Sequence, residues 1–315
     1  RRLNVLDHPS ARSSHVSPIP RGGGVALAVA ALIAVALSEN VSATPTRALA
    51  IPTALFGLLG LAEDLHGIGP RRRLFAQACI AAASLPFLLD AMRSGPLWTA
   101  VFGAGVLLWL VAFVNSFNFM DGINGIAMAQ TLIAGMAFVI VGDAQGFDTL
   151  TVGGAIAVAV ALGFAPLNFP RALCFLGDVG SYFVGAWLAV LVVIGLRGGI
   201  PVEAMLAPLA VYLADTASTL VRRLRLHEDV WQPHRSHVYQ RLTAEGWSHQ
   251  LTTAFAAAMM LLCGALGSLS LVGNLPIRIA ADIGIALTLV IYVTTPRRAY
   301  LRRERELIST GRSAT

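Results

Sequence analysis

A chain of 315 residues that is 56% hydrophobic and only 13% charged is no ordinary soluble domain, where the charged share runs near about 25%. The formal net charge of +6 comes from 23 arginines set against 17 acidic residues, with no lysine. Long apolar runs separated by clustered arginine point to an all-α, polytopic membrane protein.

In chain order, apolar spans able to cross about 30 Å of hydrocarbon are predicted near residues 22–38, 47–62, 74–90, 97–114, 122–142, 149–165, 181–196, 201–217, 251–272 and 277–294, ten in all and several of them short. The polar segments 1–21, 63–73, 115–121, 166–180, 218–250 and 295–315 then share one side of the membrane, within a single domain covering 1–315. With a cytoplasmic N-terminus, 19 of the 23 arginines fall on that side, and only Arg47, Arg93, Arg197 and Arg278 on the other, as the positive-inside rule asks. All seven histidines and Glu63, Asp64, Asp121, Asp178 and Asp215 land there too, so any chemistry faces the cytosol. Cys79, Cys174 and Cys263 sit in or beside spans without a pairing motif and read as apolar filler, not as a disulfide framework or zinc site.

Five cytoplasmic segments read as parts of a site for anionic substrates. PRGGG at 20–24 joins Arg21, a fork for phosphate, to glycines whose backbone amides can approach a ligand; a flexible, arginine-anchored entry into a span is the plain alternative. GLAEDLHGIGPRRRLFAQ at 60–77 sets Glu63 beside Asp64, which repel each other unless a cation or a shared proton relieves them. Its arginines 71–73 either hold phosphate or fix topology.

NSFNFMDGINGIA at 115–127 carries Asp121, and a carboxylate at bilayer depth costs roughly 2.5 to 3.5 kcal/mol, so it is expected to serve a proton, a metal or a substrate. Asn115, Asn118 and Asp121 recur at helical spacing and could present one face of hard oxygen ligands suited to magnesium; a helix cap at Asp121 is the alternative. NFPRALCFLGDVGSYFVG at 168–185 opens with Asn168 and flanks Asp178 with Gly177 and Gly180, allowing close approach of a ligand at a helix start. DTASTLVRRLRLHEDVWQPHRSHVYQRL at 215–242 is the one large hydrophilic loop. Two histidines three apart are weak evidence for zinc. With Arg235, Tyr239 and Arg241 alongside, His234 and His237 suit a diphosphate and a ring better, against the alternative of a loop drawn to anionic lipid.

These segments resemble, in order, those of the polyprenyl-phosphate N-acetylhexosamine-1-phosphate transferases, the membrane family that includes phospho-MurNAc-pentapeptide translocase and the bacterial enzymes that start O-antigen, enterobacterial common antigen and teichoic acid synthesis. LDHPSARSSHVSPIPRGGG, EDLHGIGPRRRLFAQ, NSFNFMDGINGIA, FLGDVGS and HRSHVYQRL carry the resemblance over nearly the whole chain. It implies transfer of a sugar 1-phosphate from a UDP-N-acetylhexosamine to undecaprenyl phosphate with release of UMP, dependent on Mg2+ or alternatively Mn2+, at a bacterial inner membrane. By motif, Asp64, Asp121 and Asp178 are the expected catalytic acids, and Asp121 and Asp178 the expected metal ligands. Arg21, Glu63, Asn115, Asn118, Asn168, His234, Arg235 and His237 are the expected substrate contacts. The expected partners are the two substrates, membrane lipids and a second copy of the chain, with no nucleic acid.

Two positions depart from the family pattern: the paired acids are Glu63 and Asp64 rather than two aspartates, and Asn124 replaces a second acid and cannot act as a base. HRSH lacks the triple histidine of the peptidoglycan enzyme, so the O-antigen-like branch is nearer, with UDP-GlcNAc, UDP-FucNAc or UDP-QuiNAc as donor. Members of that branch often carry one span more, and a further helix is expected before Arg1. A non-catalytic scaffold and an ion-coupled transporter are the competing classes. A transporter would hold its acids near the midplane, often in repeated halves, whereas these cluster at one face.

Overall fold

The structure, a computed structural model, describes residues 6–7, 19–38, 43–90, 95–232 and 234–309. Most of the LDHPSARSSHVSPIP stretch lies outside them, with His8, Arg12 and His15. A two-residue antiparallel pair, β1 (Leu6–Asp7) and β2 (Ile19–Pro20), precedes the helices. These are α1 (Gly23–Ala36), α2 (Ala43–His66), α3 (Pro70–Leu89), α4 (Pro96–Met120), α5 (Ile126–Ala144), α6 (Asp148–Asn168), α7 (Gly177–Arg197), α8 (Val202–Leu206), α9 (Ala210–Arg225), α10 (Val238–Ala244), α11 (His249–Ser268) and α12 (Leu275–Ser309). Among the described residues nine helical spans are long and apolar enough to cross a membrane, α8 and α9 together making one, and α1 is a shorter apolar tenth. The protein is an all-α, multi-pass membrane protein.

Several helices outrun their apolar stretches. α2 carries Glu63 and Asp64 in its last turn and ends only at Gly67, whose φ of +64° leaves the helical region. α9 continues to Arg225, so Asp215 and the first arginines of the long loop are helical. Leucine and arginine are good helix formers, and hydropathy alone does not register that. Pro208 falls in a 3-10 turn between α8 and α9, and the Gln130 amide on α5 donates to its carbonyl at 2.9 Å.

α7 is the central shaft. Every residue from Val179 to Gly195 is buried, as expected of a helix apolar on all sides. α1, α2, α4 and α6 surround it. The indole N–H of Trp109 on α4 donates to the Ala189 carbonyl at 3.0 Å, and that of Trp187 donates to Gly153 on α6 at 2.9 Å. Small residues bring backbones together at its start, as in membrane helix packing generally. A Cβ on Gly24 would run into the Gly180 backbone, and one on Gly60 into the Asp178 carbonyl.

Because backbone cannot yield as a side chain can, Gly60→Ala is expected to destabilise the detergent-solubilised protein by about 1 to 3 kcal/mol, read as a lowered melting temperature. Gly105→Ala, at a position with nothing within 4 Å, serves as the neutral control. Equal melting of the two variants would refute the close packing of α2 on α7.

Candidate active site

The end of α2, the end of α4 and the start of α7 meet at one end of the bundle. α7 begins without a side-chain cap of its own: Leu176 is its N-cap, and Gly177 enters with a φ of +74°. The orphan N–H groups are taken instead by Asp64 on α2, whose Oδ1 accepts from Asp178 N at 3.1 Å and Oδ2 from Val179 N at 2.9 Å. A carboxylate at a helix N-terminus also meets the positive end of the helix dipole.

Asn118, in the last turn of α4, donates from Nδ2 to Asp178 Oδ1 at 2.6 Å and to Ser181 Oγ at 2.9 Å. One turn earlier, Asn115 donates to Gln77 Oε1 on α3 at 2.5 Å and to the Val111 carbonyl at 2.8 Å. Asp121 stands just past α4, as its C-cap. It does not cap α5, which starts at Ile126 behind Gly125, so the capping alternative fails on position. Burial, then the neighbouring charges of Asp178 and Asp64, push the Asp121 carboxyl up to about 7. Asp64, Asn118, Asp121 and Asp178 therefore share one site.

The two adjacent acids on α2 part company. Glu63 accepts from Ile68 N at 2.9 Å and lies 3.8 Å from Arg73, while Asp64 turns to α7. An arginine and a helix N-terminus thus relieve the repulsion that the sequence alone assigns to a cation or a shared proton. Arg71 lies over the Trp231 ring at 5.7 Å, tying the start of α3 to the loop before α10.

That loop brings the histidines in. His237 is the N-cap of α10, forms a capping box with Gln240, and is held at Nδ1 by Asp215 Oδ1 at 2.8 Å. Its ring stacks on Tyr239 with centroids 5.9 Å apart and tilts against Phe119 at 6.0 Å. The Tyr239 hydroxyl donates to the Phe119 carbonyl at 2.9 Å, two residues before Asp121. His234 bonds Ser236 at 2.9 Å. Burial, then His237 and Arg223, push the His234 imidazole down to about 4, leaving it neutral near pH 7.

Other predicted contacts have structural partners. Two of the PRGGG amides are engaged by protein: Gly23 N donates to the Phe175 carbonyl at 3.2 Å and Gly24 N to the Leu176 carbonyl at 3.0 Å, so these two glycines serve chain pairing and helix contact. Arg21 is exposed at this junction. Asn168 accepts from Gly125 N at 2.8 Å and donates to the Cys174 carbonyl at 3.1 Å, joining the start of α5 to the segment before α7. Arg235 lies between the two histidines in sequence, in the stretch leading into α10.

Sequence reasoning gave Asp215 no role. It is fully buried in α9 and accepts from His237, from Val238 N at 3.1 Å, from the Tyr292 hydroxyl on α12 at 2.9 Å and from Thr219 at 3.3 Å. The signal that singled out Asp121, a lone carboxylate in an apolar run, applies equally to Asp215. Asp215→Ala takes one shared acceptor from four buried donors and is expected to cost about 3 kcal/mol or more, measured as a fall in melting temperature. An unshifted melt would show that α10 is held by other contacts.

The sequence pattern of glycosyl transferase family 4 matches residues 46–196, the stretch that holds Asp64, Asn118 and Asp121 and carries Asp178. A Mycobacterium leprae protein named decaprenyl-phosphate N-acetylglucosaminephosphotransferase is 31% identical over 296 residues, covering 79% of this chain and 72% of its own. A probable undecaprenyl-phosphate N-acetylglucosaminyl 1-phosphate transferase of Bacillus subtilis is 27% identical, covering 80% and 73%. An undecaprenyl-phosphate alpha-N-acetylglucosaminyl 1-phosphate transferase of Thermotoga maritima is also 27% identical, covering 83% and 82%. With this coverage and the acids of its motifs gathered in one site, the chain belongs to the polyprenyl-phosphate N-acetylhexosamine-1-phosphate transferases of glycosyl transferase family 4.

Proposed function

We propose that this protein transfers N-acetylglucosamine 1-phosphate from UDP-N-acetylglucosamine to a polyprenyl phosphate, giving a lipid diphosphate sugar and UMP. The observation that carries the reading is the convergence of Asp64, Asn118, Asp121 and Asp178 where α2, α4 and α7 meet. The relatives named above, all N-acetylglucosamine 1-phosphate transferases by name, support the choice of sugar. The arginine bias supports a cytoplasmic position for this end of the bundle, in a bacterial inner membrane.

A divalent cation fits the donor set in a particular way. Among the described residues no three His, Cys, Asp or Glu side chains form a ready-made metal cage. Two hard carboxylates, Asp121 and Asp178, stand close enough that the charge of Asp178 raises the proton affinity of Asp121, and Mg2+ characteristically binds one or two carboxylates together with waters and substrate phosphates. Asp121 and Asp178 would hold it. When bound, the cation would offset charge on the phosphates and on the departing UMP.

In the reaction, an oxygen of the lipid phosphate attacks the phosphorus that bears the sugar. The new P–O bond forms as the bond to UMP breaks, and UMP departs with the electron pair. The attacking phosphate is already an anion, so the residues have chiefly to position two negative reactants and balance their charge. Asp64, with both oxygens committed to the α7 backbone, acts as the positioner of Asp178 and not as a base. Neutral His234, with Arg235 and His237, suits contacts to the nucleotide end of the sugar donor.

Purified protein given undecaprenyl phosphate, Mg2+ and a panel of UDP-sugars is expected to release UMP with UDP-N-acetylglucosamine, only when lipid is present, and Asp121→Asn is expected to lose that release. No release with any donor would return the reading to a scaffold or transporter.

The cation leaves a pH signature. Asp121 titrates at about 7 in the folded protein against an ordinary 3.8, so the folded state retains a proton that the unfolded chain has lost. Without a cation, this contribution to stability is full below the ordinary value and is lost as pH rises through about 7. A bound cation displaces that proton, so the Mg2+ concentration giving half-maximal thermal stabilisation should fall as pH rises from about 6 to about 8. Asp121→Asn should flatten the dependence. A pH-independent midpoint in the wild-type protein would remove Asp121 from the ligand set.

A further inference from the structure

Two buried polar atoms beside this site make no close hydrogen bond among the described residues. Gln77 on α3 and Tyr182 on α7 are fully buried, and the two atoms are Gln77 Nε2 and the Tyr182 hydroxyl. Buried groups of this kind are uncommon in folded proteins and each demands an explanation.

Their placement supplies one. Tyr182 lies one turn beyond Asp178 on α7, and its hydroxyl faces Asp178 and Glu63 with the Arg73 guanidinium as a loose hydrogen-bond neighbour. Gln77 lies one turn beyond Arg73 on α3, on the same helix face. The Gln77 amide is oriented by Asn115, which donates to its Oε1 at 2.5 Å, and that leaves Nε2 as the unused donor. Asn115 in turn lies one turn from Asn118, the residue that holds Asp178. Three side chains from adjacent helices, Arg73, Gln77 and Tyr182, thus offer hydrogen-bond donors around one flank of Asp178.

We propose that Arg73, Gln77 and Tyr182 form the subsite that receives the phosphate of the lipid acceptor. This rests on the transferase reading above and assigns one of its two substrates a place. Hydrogen-bond donors around a guanidinium match an oxygen-rich anion. Depth favours the lipid over the nucleotide: at about 1.5 Å rise per residue, Gln77 lies roughly 10 Å inside the start of α3 and Tyr182 roughly 7 Å inside the start of α7. A headgroup anchored in the bilayer reaches that level, whereas the histidine loop lies outside the spans. The adjoining face of α3 exposes Leu74 and Phe75, Phe75 at 73%, as suits a prenyl chain.

The test is calorimetric titration of a short-chain polyprenyl phosphate, and separately of UDP, into wild-type protein, Tyr182→Phe and Gln77→Leu, with a melting temperature for each. Tyr182→Phe removes a hydroxyl whose one resting hydrogen-bond neighbour among the described residues is the Arg73 guanidinium, beyond close bonding distance, so it should melt near the wild-type temperature. It should nonetheless bind the lipid phosphate about tenfold or more weakly, the usual size of a lost hydrogen bond to a charged group, with UDP affinity unchanged. Gln77→Leu should weaken lipid binding in the same direction. Equal lipid affinity in wild type and Tyr182→Phe, or a loss confined to UDP, would overturn the assignment; so would a lower melting temperature with unchanged lipid affinity. UMP release is scored apart from these titrations. Its absence in a wild-type protein that shows the predicted binding contrast would strike the transferase reading alone.

Discussion

The site depends on one contact made across more than a hundred residues of chain, the Asp64 carboxylate closing the N-terminus of α7. Two backbone N–H groups and a helix dipole meet one anion there, in a half-buried setting where an unmade hydrogen bond still carries a cost. The contact fixes α2 against α7 and fixes the first turn of α7, where Asp178 sits. Gly24 and Gly60 allow it, because only glycine lets α1 and α2 come so near the α7 backbone. Stability and function are thus concentrated in the same few residues.

A second constraint is charge. Asp121 and Asp178 are held near Asp64 in a low-dielectric setting, and the proteins that tolerate such groupings compensate with cations, amide donors or protons. Here Asn118 serves Asp178, a helix start serves Asp64, and Asp121 takes up a proton more readily than an ordinary aspartate. The unmet demand for positive charge at this end of the bundle is what the proposed divalent cation would answer. Behind it, Asp215 anchors the start of α10 through His237 and Val238 and reaches α12 through Tyr292, while Tyr239 braces α10 against the Phe119 carbonyl.

Much of this was legible in the residues. Spans could be placed because bilayer crossing demands long apolar runs; Asp121 stood out because a carboxylate there is costly, and Asp178 because glycines flank it at a helix start. The spacing of Asn115 and Asn118 anticipated a shared helix face, which now points at α3 and α7. What stayed hidden was partner choice. Nothing local shows that Asp64 caps a helix more than a hundred residues away, that Glu63 turns back to Ile68 and Arg73, or that the amides of Gly23 and Gly24 are used by the Phe175 and Leu176 carbonyls. Helix ends were misjudged for a related reason, since Leu65, His66 and Arg222 to Arg225 extend helices beyond the apolar stretch.

The account turns on where a cation and a diphosphate meet in the molecule. A crystal structure of the protein with Mn2+ and UDP, phased on the anomalous signal of manganese, tests it directly. The account predicts one strong peak bonded to Asp121 and Asp178 and touching the diphosphate, with Asp64 still bound to the α7 backbone. A peak at His234 and His237, or one bonded to Asp64 with the α7 contact broken, would contradict it.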